Sequence, residues 1–358
     1  MAGRAFPPPV DGDAMPGYEE LCNFENLYMA HKAARKGKRH KREVIEFEMN
    51  LAENLCQLQR ELETRTYRQR GYYHFMVYEP KARSIYAPYY IDRVVQHCLC
   101  DNILAPVLEP RLIHDNAACR VGKGTHFAIH RLSHFLTAHY RQHSAAGYFL
   151  KCDIRKYFDN IDHDVLQQKL ARTFRDPDVF RLLCSIIDSY EKAPGKGLPL
   201  GNQCSQWFAL YYLDSLDRLI KERLRVRHYI RYMDDFVLMH EDKAFLRDCL
   251  RAIQAHCRDV LGLELNQKTQ IFPIQNGVDY LGWHHYLTGT GKVVRKLLLP
   301  SKQRLRRRMK GLQSGYAEGR LDWEDVKRSI ASTDGHLRHG HTYRLRARVV
   351  GGTGFVRK

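Results

Sequence analysis

Strands and helices that follow one another without strict strand–helix–strand alternation predict an α+β fold. Three observations carry that prediction. An apolar run, Tyr148–Cys152, ends on Asp153. Two β-rich runs, His228–Tyr232 and Phe236–Met239, flank Met233-Asp234-Asp235 and predict a tight hairpin. Around them lie apolar stripes at three- and four-residue steps, the mark of amphipathic helices.

Taken in order, residues 1–20 are rich in Pro and Gly and are expected to be poorly ordered. Met1–Pro9 lacks the apolar stretch of a secretory signal, and no apolar run approaches the ~18 residues of a membrane span. The basic run Lys32–Arg42 fits either a solvated face or a phosphate contact. Val44, Phe47, Leu51, Leu55, Leu58 and Leu62 form one stripe, predicting a single helix. Tyr72–Pro88 reads as short β-runs, and Asp92–Leu104 as a helix with Asp92 as its N-cap. Arg120–Thr125 is a Gly-rich turn before a helix starting near His126; Lys123 followed by Gly124 breaks the P-loop pattern. Residues 163–192 read as helical, Gly195–Gly201 as a loop, and a helix begins near Ser205. Another helix runs from about Lys243 to near Gly262. From Ser301 the chain turns strongly basic, with Arg304, Arg306, Arg307, Arg308 and Lys310.

The composition narrows the function. The chain has 358 residues, 44% of them hydrophobic and 11% aromatic, which is globular rather than disordered. At about 100–200 residues per domain, that length holds two or three subdomains. Its 58 Lys+Arg against 40 Asp+Glu give a net charge of +18, pointing to a polyanionic partner. The 10 Cys are scattered without a CxxC pair, which predicts reduced thiols in a cytosolic protein. The 19 His are dispersed and show no zinc-site spacing.

Two acidic positions stand out against this basic background: Asp153 at a strand end and Asp234-Asp235 at a hairpin tip. Adjacent like charges repel, and a buried carboxylate is costly without a partner. Divalent cations resolve that cost. Two magnesium ions about 3.5–4 Å apart, clamped by carboxylates, activate an attacking 3′-oxygen and stabilise the leaving oxygen. An isolated Asp-Asp pair also fits an ordinary polar turn.

Tyr232-Met-Asp-Asp235 between apolar β-runs, together with Lys151-Cys-Asp-Ile-Arg-Lys-Tyr-Phe-Asp-Asn-Ile161, resembles the palm motifs of reverse transcriptases. The resemblance implies a right-hand polymerase with fingers, a palm built on an antiparallel sheet, and a small helical thumb. It implies two-metal nucleotidyl transfer with Asp153, Asp234 and Asp235 as catalytic metal ligands. Phe158 matches the aromatic that packs under the sugar and excludes a 2′-hydroxyl, although plain core packing also fits. Ile91–Gln96 and Cys119–Thr125 resemble the fingers motifs. Lys81 and Arg83 are thereby candidates for the incoming nucleotide, and Arg120 and Lys123 for the template or primer; each also fits a surface cation. Lys268, in a stretch resembling the later palm motif, is placed to protonate leaving pyrophosphate or is a surface lysine. Tyr280-Leu-Gly-Trp283 resembles the primer grip, so Gly282, Trp283, Tyr232 and the basic Arg307 become template–primer candidates; Trp283 also fits a core position.

Leu198-Pro-Leu-Gly-Asn-Gln-Cys-Ser-Gln206 departs from the wider family, which has Gln at position 200 and Pro at position 206. Leu200 and Gln206 instead resemble the reverse transcriptases of diversity-generating retroelements, as do Phe75–Lys81 and Gly335–Arg344. That group implies an RNA-directed DNA polymerase that copies a template RNA into cDNA with errors at adenine, for mutagenic retrohoming into a target gene. Other prokaryotic types (retron, abortive-infection, group II intron-like) are the alternative. The implied partners are template RNA, nascent cDNA, dNTPs and an accessory variability determinant, with no membrane. The implied setting is a bacterial or phage-encoded cytoplasmic protein. Leu200 neither donates nor accepts a hydrogen bond, so a contact that enforces pair geometry is missing, worth on the order of 1–3 kcal/mol of selectivity. The expected domains are a partly flexible basic arm (1–40), fingers (41–147), palm (148–286, with a fingers-like insertion near 165–200) and a basic helical thumb (287–358).

Overall fold

The computed structural model describes residues 15–78 and 81–357, so most of the stretch expected to be poorly ordered lies outside the described residues. The chain folds as α+β around a four-stranded antiparallel sheet. Its strands are β3 (Tyr148–Asp153), β4 (His228–Tyr232), β5 (Asp235–His240) and β6 (Gln270–Pro273), in the order β4-β5-β3-β6. β1 (Tyr72–Val77) and β2 (Arg83–Pro88) form a separate two-stranded ribbon.

Both faces of the sheet are covered, and the period-2 alternation of strands sorts the residues. Leu150, Cys152, Tyr229, Phe236 and Leu238 enter the main core. Phe149, Ile230, Val237 and Met239 enter a second cluster with Ala128, Leu132 and Leu136 of α7 (Thr125–His143). On the main-core side lie α8 (Tyr157–Asn160), α11 (Gln203–Tyr212), α12 (Asp214–Arg218) and α13 (Lys243–Leu261). Gly262, at φ 61°, closes α13 in the left-handed region as expected.

The N-terminal helices are α1 (Glu19–Cys22), α2 (Phe24–Ala34), α3 (Arg42–Met49) and α4 (Leu51–Glu63). They bury Leu21, Leu27, Ala30, Val44, Leu55, Leu58 and Leu62 in the main core, so residues 19–34 are part of the body rather than a flexible arm. The single helix expected from the Val44–Leu62 stripe breaks at Asn50 (φ −124°, ψ 43°). The side chain of Asn54 then donates to the Phe47 carbonyl at 3.0 Å, satisfying an orphan acceptor at the end of α3.

α5 (Tyr90–Leu99) starts two residues earlier than expected, and Asp92 is not its cap. Asp92 is fully buried and accepts from Tyr67 Oη and the Arg70 backbone N–H, both at 2.9 Å, serving as a tertiary acceptor. The helix continues through a π-turn, Cys100–Leu104, into α6 (Ala105–Leu108), where Pro106 brings no N–H to the ladder.

The expected helical span 163–192 is two helices, α9 (His163–Ala171) and α10 (Pro177–Asp188). The Asp176 side chain accepts from the N–H groups of Asp178 (2.8 Å) and Val179 (3.1 Å), and Pro177 opens the new helix.

β7 (Val278–Tyr280), β8 (Trp283–Leu287) and β9 (Val293–Leu297) make a three-stranded sheet. α14 (Leu299–Ala317), α15 (Trp323–Leu337) and α16 (Tyr343–Arg346) follow it. Trp283, Leu297, Leu305, Met309, Leu312 and Leu337 form a third cluster with Ile129 of α7. The expected 286/287 boundary therefore cuts β8, and the expected 147/148 boundary separates α7 from the sheet on which it packs. All ten cysteines are free.

Candidate active site

The β4–β5 hairpin closes with Met233 and Asp234 between the paired residues Tyr232 and Asp235. Met233 sits at φ 55°, a left-handed conformation that costs a side chain on the order of 1–3 kcal/mol unless its surroundings hold it. Arg231 supplies that hold. Its Nη1 donates to the Met233 carbonyl at 3.0 Å, while Nε and Nη2 donate to Asp217 of α12 at 2.7 and 2.5 Å. Tyr229 Oη donates to the same carboxylate at 2.6 Å. Arg231 and Asp217 have no solvent exposure, and removing one partner of such a pair leaves a stranded charge. The turn is thus bolted to the helix beneath it.

β3 brings the third carboxylate to the same place. Asp153 is the register partner of Asp235, on the sheet face that carries Phe149 and Val237. Its Oδ2 accepts from Asn266 Nδ2 at 3.1 Å and its carbonyl from Asn266 N–H at 2.7 Å. Ile154 N–H donates to the Asp234 carbonyl at 3.3 Å, closing the strand end onto the turn. Lys151, two residues back on the same face, forms an ion pair with Asp235 and lies 4.9 Å from the Tyr280 ring. Burial pulls the Lys151 ammonium down to about 8, against the pull of nearby carboxylates led by Asp153. The Asp234 carboxyl is held above its ordinary range by burial and then by the charge of Asp153, with Arg83 and Lys151 opposing.

The sequence thus brings Asp153, Asp234 and Asp235 together at one sheet end, as expected. Asp235 is partly compensated by its ion pair with Lys151, whereas Asp234 feels the like charge of Asp153 with only the opposing pull of Arg83 and Lys151 and stays raised. Three carboxylates set at one part-buried strand end supply hard oxygen donors, the ligand type of a magnesium-type cation, so the residues fit such an ion by donor type.

The other expected residues divide. Phe158 is half-buried against the main core, with its ring 5.6 Å from Tyr157 in an edge-on arrangement. Arg83 opens β2 and is exposed, as is Lys81 in the turn before it. The Leu200 carbonyl accepts from Tyr86 N–H at 2.8 Å, tying its loop to β2. Gln206 lines an open cleft of about 1030 Å³ with Lys38, Arg42, Phe75, Ile85 and Gly201. Lys268 is exposed, two residues beyond Asn266. Tyr232 is half-buried between the two clusters that sandwich the sheet. Arg307 lines a second cleft with Arg304, Arg308 and His336.

Two of the expected contact residues are engaged inside the fold. Arg120 is an internal brace: its guanidinium is engaged by Glu109 and by the carbonyls of Ile113 and Asn116, at 2.7–2.8 Å. Trp283 is 1% exposed in the third cluster, so it is a core residue. Beside it, Leu281 (φ 48°) and Gly282 (φ 86°) form the turn between β7 and β8, which needs two left-handed residues. Lys123 is also partly spent, since its Nζ donates to the His114 carbonyl at 2.6 Å. Sequence reasoning missed Lys151, Asn266 and the Arg231–Asp217 lock. Strand parity was the available signal for Lys151, which shares a face with Asp153.

The chain is 25% identical over 252 residues to Protein YkfC of Escherichia coli (strain K12), a match spanning 58% of this chain and 65% of that protein's length. A solved telomerase from Candida albicans, in complex with a TWJ fragment of telomeric RNA, superposes with a TM-score of 0.47 at 13% identity, covering 79% of this chain and 55% of that one. An apo telomerase from Candida tropicalis gives a TM-score of 0.47 at 14% identity, covering 64% and 49%. No helix among the described residues is long and apolar enough to cross a membrane. The family model for the reverse transcriptase (RNA-dependent DNA polymerase) matches residues 79–285, more than half of the chain and every carboxylate described above, and the chain belongs to that family.

Proposed function

We propose that the chain is an RNA-directed DNA polymerase of the diversity-generating type, copying a template RNA into cDNA with errors opposite adenine. The observation that carries the polymerase reading is the in-register pairing of Asp153 with Asp235 beside Asp234 at the hairpin tip. In this reading Asp153 and Asp234 hold two magnesium ions, and Asp235, steadied by Lys151, supports them. Bound there, the ions would lower the cost of deprotonating a primer 3′-hydroxyl and offset charge on the phosphates. The protein's own part is positioning. Arg231 fixes the turn, Asn266 orients Asp153, and in this reading Phe158 packs under the sugar of the incoming nucleotide. Arg83, whose charge is felt at Asp234, is the cation proposed to meet a triphosphate. Fingers would comprise the helices and ribbon before α7, with α9 and α10. The palm would comprise α7 and the sheets to Leu297, and the thumb the helices from Leu299.

The diversity-generating reading rests on Leu200 and Gln206. Leu200 belongs to a loop tied by its carbonyl to β2, and an apolar side chain there enforces no pair geometry. The proposed partners are the template RNA, dNTPs and an accessory variability determinant, to which the clefts and basic runs offer a positive surface.

The test is dNTP incorporation on primed RNA with magnesium. Asp234→Asn is expected to lower the rate on the order of 10³-fold, comparable to losing a central electrostatic contact; an unchanged rate rejects the site. Sequencing the products of Leu200→Gln is expected to show several-fold fewer errors opposite adenine. Unchanged errors favour another prokaryotic reverse transcriptase type.

A further inference from the structure

The far end of the same two strands carries a second cluster of ligand-type side chains. Tyr148, the first residue of β3, pairs with His240, the last of β5, and Glu241 follows. Above it, His139 and His143 lie one turn apart on α7, their rings 4.9 Å apart. One ligand atom each from His139, His143 and Glu241 lies within 4.8 Å of the others, and the group is the one such triad found among the described residues. Six residues of strand separate Glu241 from Asp235, roughly 20 Å at strand rise, so this is not the carboxylate tip.

We propose that His139, His143 and Glu241 form a zinc-type transition-metal site that pins α7 to the end of β5. Two imidazoles and a carboxylate are a borderline donor set that suits zinc rather than magnesium. His139 is prepared for the role. Its Nε2 lies 2.7 Å from the Ala146 carbonyl; a carbonyl only accepts, so Nε2 carries the ring hydrogen. Nδ1 then keeps a bare lone pair, and it is buried without a hydrogen-bond partner. A backbone carbonyl fixing the tautomer of a ligating histidine is the usual supporting contact in metal sites.

The local backbone is shaped around that ring. Gly147 sits at φ +121°, and a Cβ there would lie 2.8 Å from His139 Nε2 and 3.0 Å from the His240 carbonyl. The spacing is near what coordination needs. His143 Nε2 and Glu241 Oε2 are 3.8 Å apart. Ligand edges around tetrahedral zinc are about 3.3 Å, from bonds of about 2.0–2.1 Å. That edge needs a closure of about half an ångström, and the two edges to His139, which lie within 4.8 Å, need at most about 1.5 Å, to be taken up by the His143 and Glu241 side chains at the rim. Other buried rings here also carry a nitrogen without a partner, His228 Nδ1 among them; what sets His139 apart is that two further ligand-type side chains converge on it. Three protein ligands leave a fourth position for water, and the ion would brace the sheet from the end opposite the polymerase chemistry.

The test uses untagged full-length protein stripped by chelation, titrated with Co²⁺ followed by absorption and with Zn²⁺ followed by the thermal midpoint. The expected result is one equivalent bound, a visible cobalt band of low-coordinate type, and a zinc-raised midpoint that excess Mg²⁺ does not reproduce. His143→Gln and Glu241→Gln, both at the rim, are expected to weaken binding at least tenfold without moving the metal-free midpoint. Asp153→Asn is expected to leave the titration unchanged. The proposal is overturned if no equivalent binds, if the rim variants bind like the parent, or if His336→Gln in the C-terminal helices abolishes binding instead.

Discussion

Arg231 and Asp217 beneath the β4–β5 hairpin have no solvent exposure. The C-terminal helices are held quite differently: α14 buries only Leu305, Met309, Leu312 and Gly315 over 19 residues. Beside Ile129, their contact with α7 includes a row of imidazoles. His126 Nε2 lies 3.4 Å from His336 Nδ1, His130 Nε2 lies 3.0 Å from His339 Nδ1, and the His126 and His339 rings stack at 3.6 Å. The hairpin is locked by a buried pair of opposite charges, and the helices are docked in part by stacked and paired imidazole rings. A site that must hold three carboxylates in register needs the first kind of support. Helices held by the second kind open locally at lower free energy, because the low burial of α14 leaves less to break.

The largest expected effect breaks the lock. Asp217→Ala strands the Arg231 charge in the core and is expected to cost about 3–5 kcal/mol, read from denaturant unfolding. Replacing both partners with apolar residues, Arg231→Met with Asp217→Leu, is expected to recover most of that stability. It is not expected to recover polymerase rate, because the Met233 carbonyl has then lost its donor. Equal recovery of both would show that the lock serves stability alone.

Next is the seam between β8 and the C-terminal segment. Gly340 packs against the Trp283 indole so closely that a Cβ would overlap the ring. Gly340→Ala is expected to cost up to about 3 kcal/mol through overpacking. Limited proteolysis should then cut after β9 while the central sheet stays intact. Loss of the whole fold at once would erase the contrast between the regions.

The third effect is pH dependence. Burial pulls His285 of β8 down to about 3, and His130, His336, His339 and His341 are lowered as well, burial again leading. Between a folded value near 3 and the unfolded value of about 6.5, the unfolded chain binds more protons. Stability from His285 is therefore full above about 6.5 and is lost as pH falls. At pH 5 the loss is about 2 kcal/mol for this one fully buried ring. Thermal midpoints at pH 7.5 and 5.0 should differ by less in His285→Gln than in the parent.

The same contrast explains what could be read from the residues alone. The hairpin was legible because Tyr148–Asp153, His228–Tyr232 and Phe236–Met239 are short apolar runs with acidic punctuation, and strand pairing follows from local pattern. The α7 helix was legible as a helix but not as a neighbour of the sheet, since nothing local says which face it covers. Asp92, Arg120 and Trp283 were misassigned or left open for a related reason. Each is polar or aromatic at a position where a cap, a phosphate contact or a primer contact is plausible. In the fold Asp92 meets Tyr67 and Arg70, Arg120 meets Glu109, and Trp283 meets Gly340 and His336. The breaks at Asn50 and at residues 172–176 interrupt backbone helices without interrupting the apolar stripe, so periodicity passed over them.

The β1–β2 ribbon has a consequence for handling the purified protein. Tyr73, Phe75, Met76 and Val77 are all exposed on one strand of a sheet only two strands wide. Such a ribbon is barely self-supporting in water, and an open greasy edge recruits further strands. Free of nucleic acid, concentrated stocks should self-associate through it, and added polynucleotide should keep them dispersed.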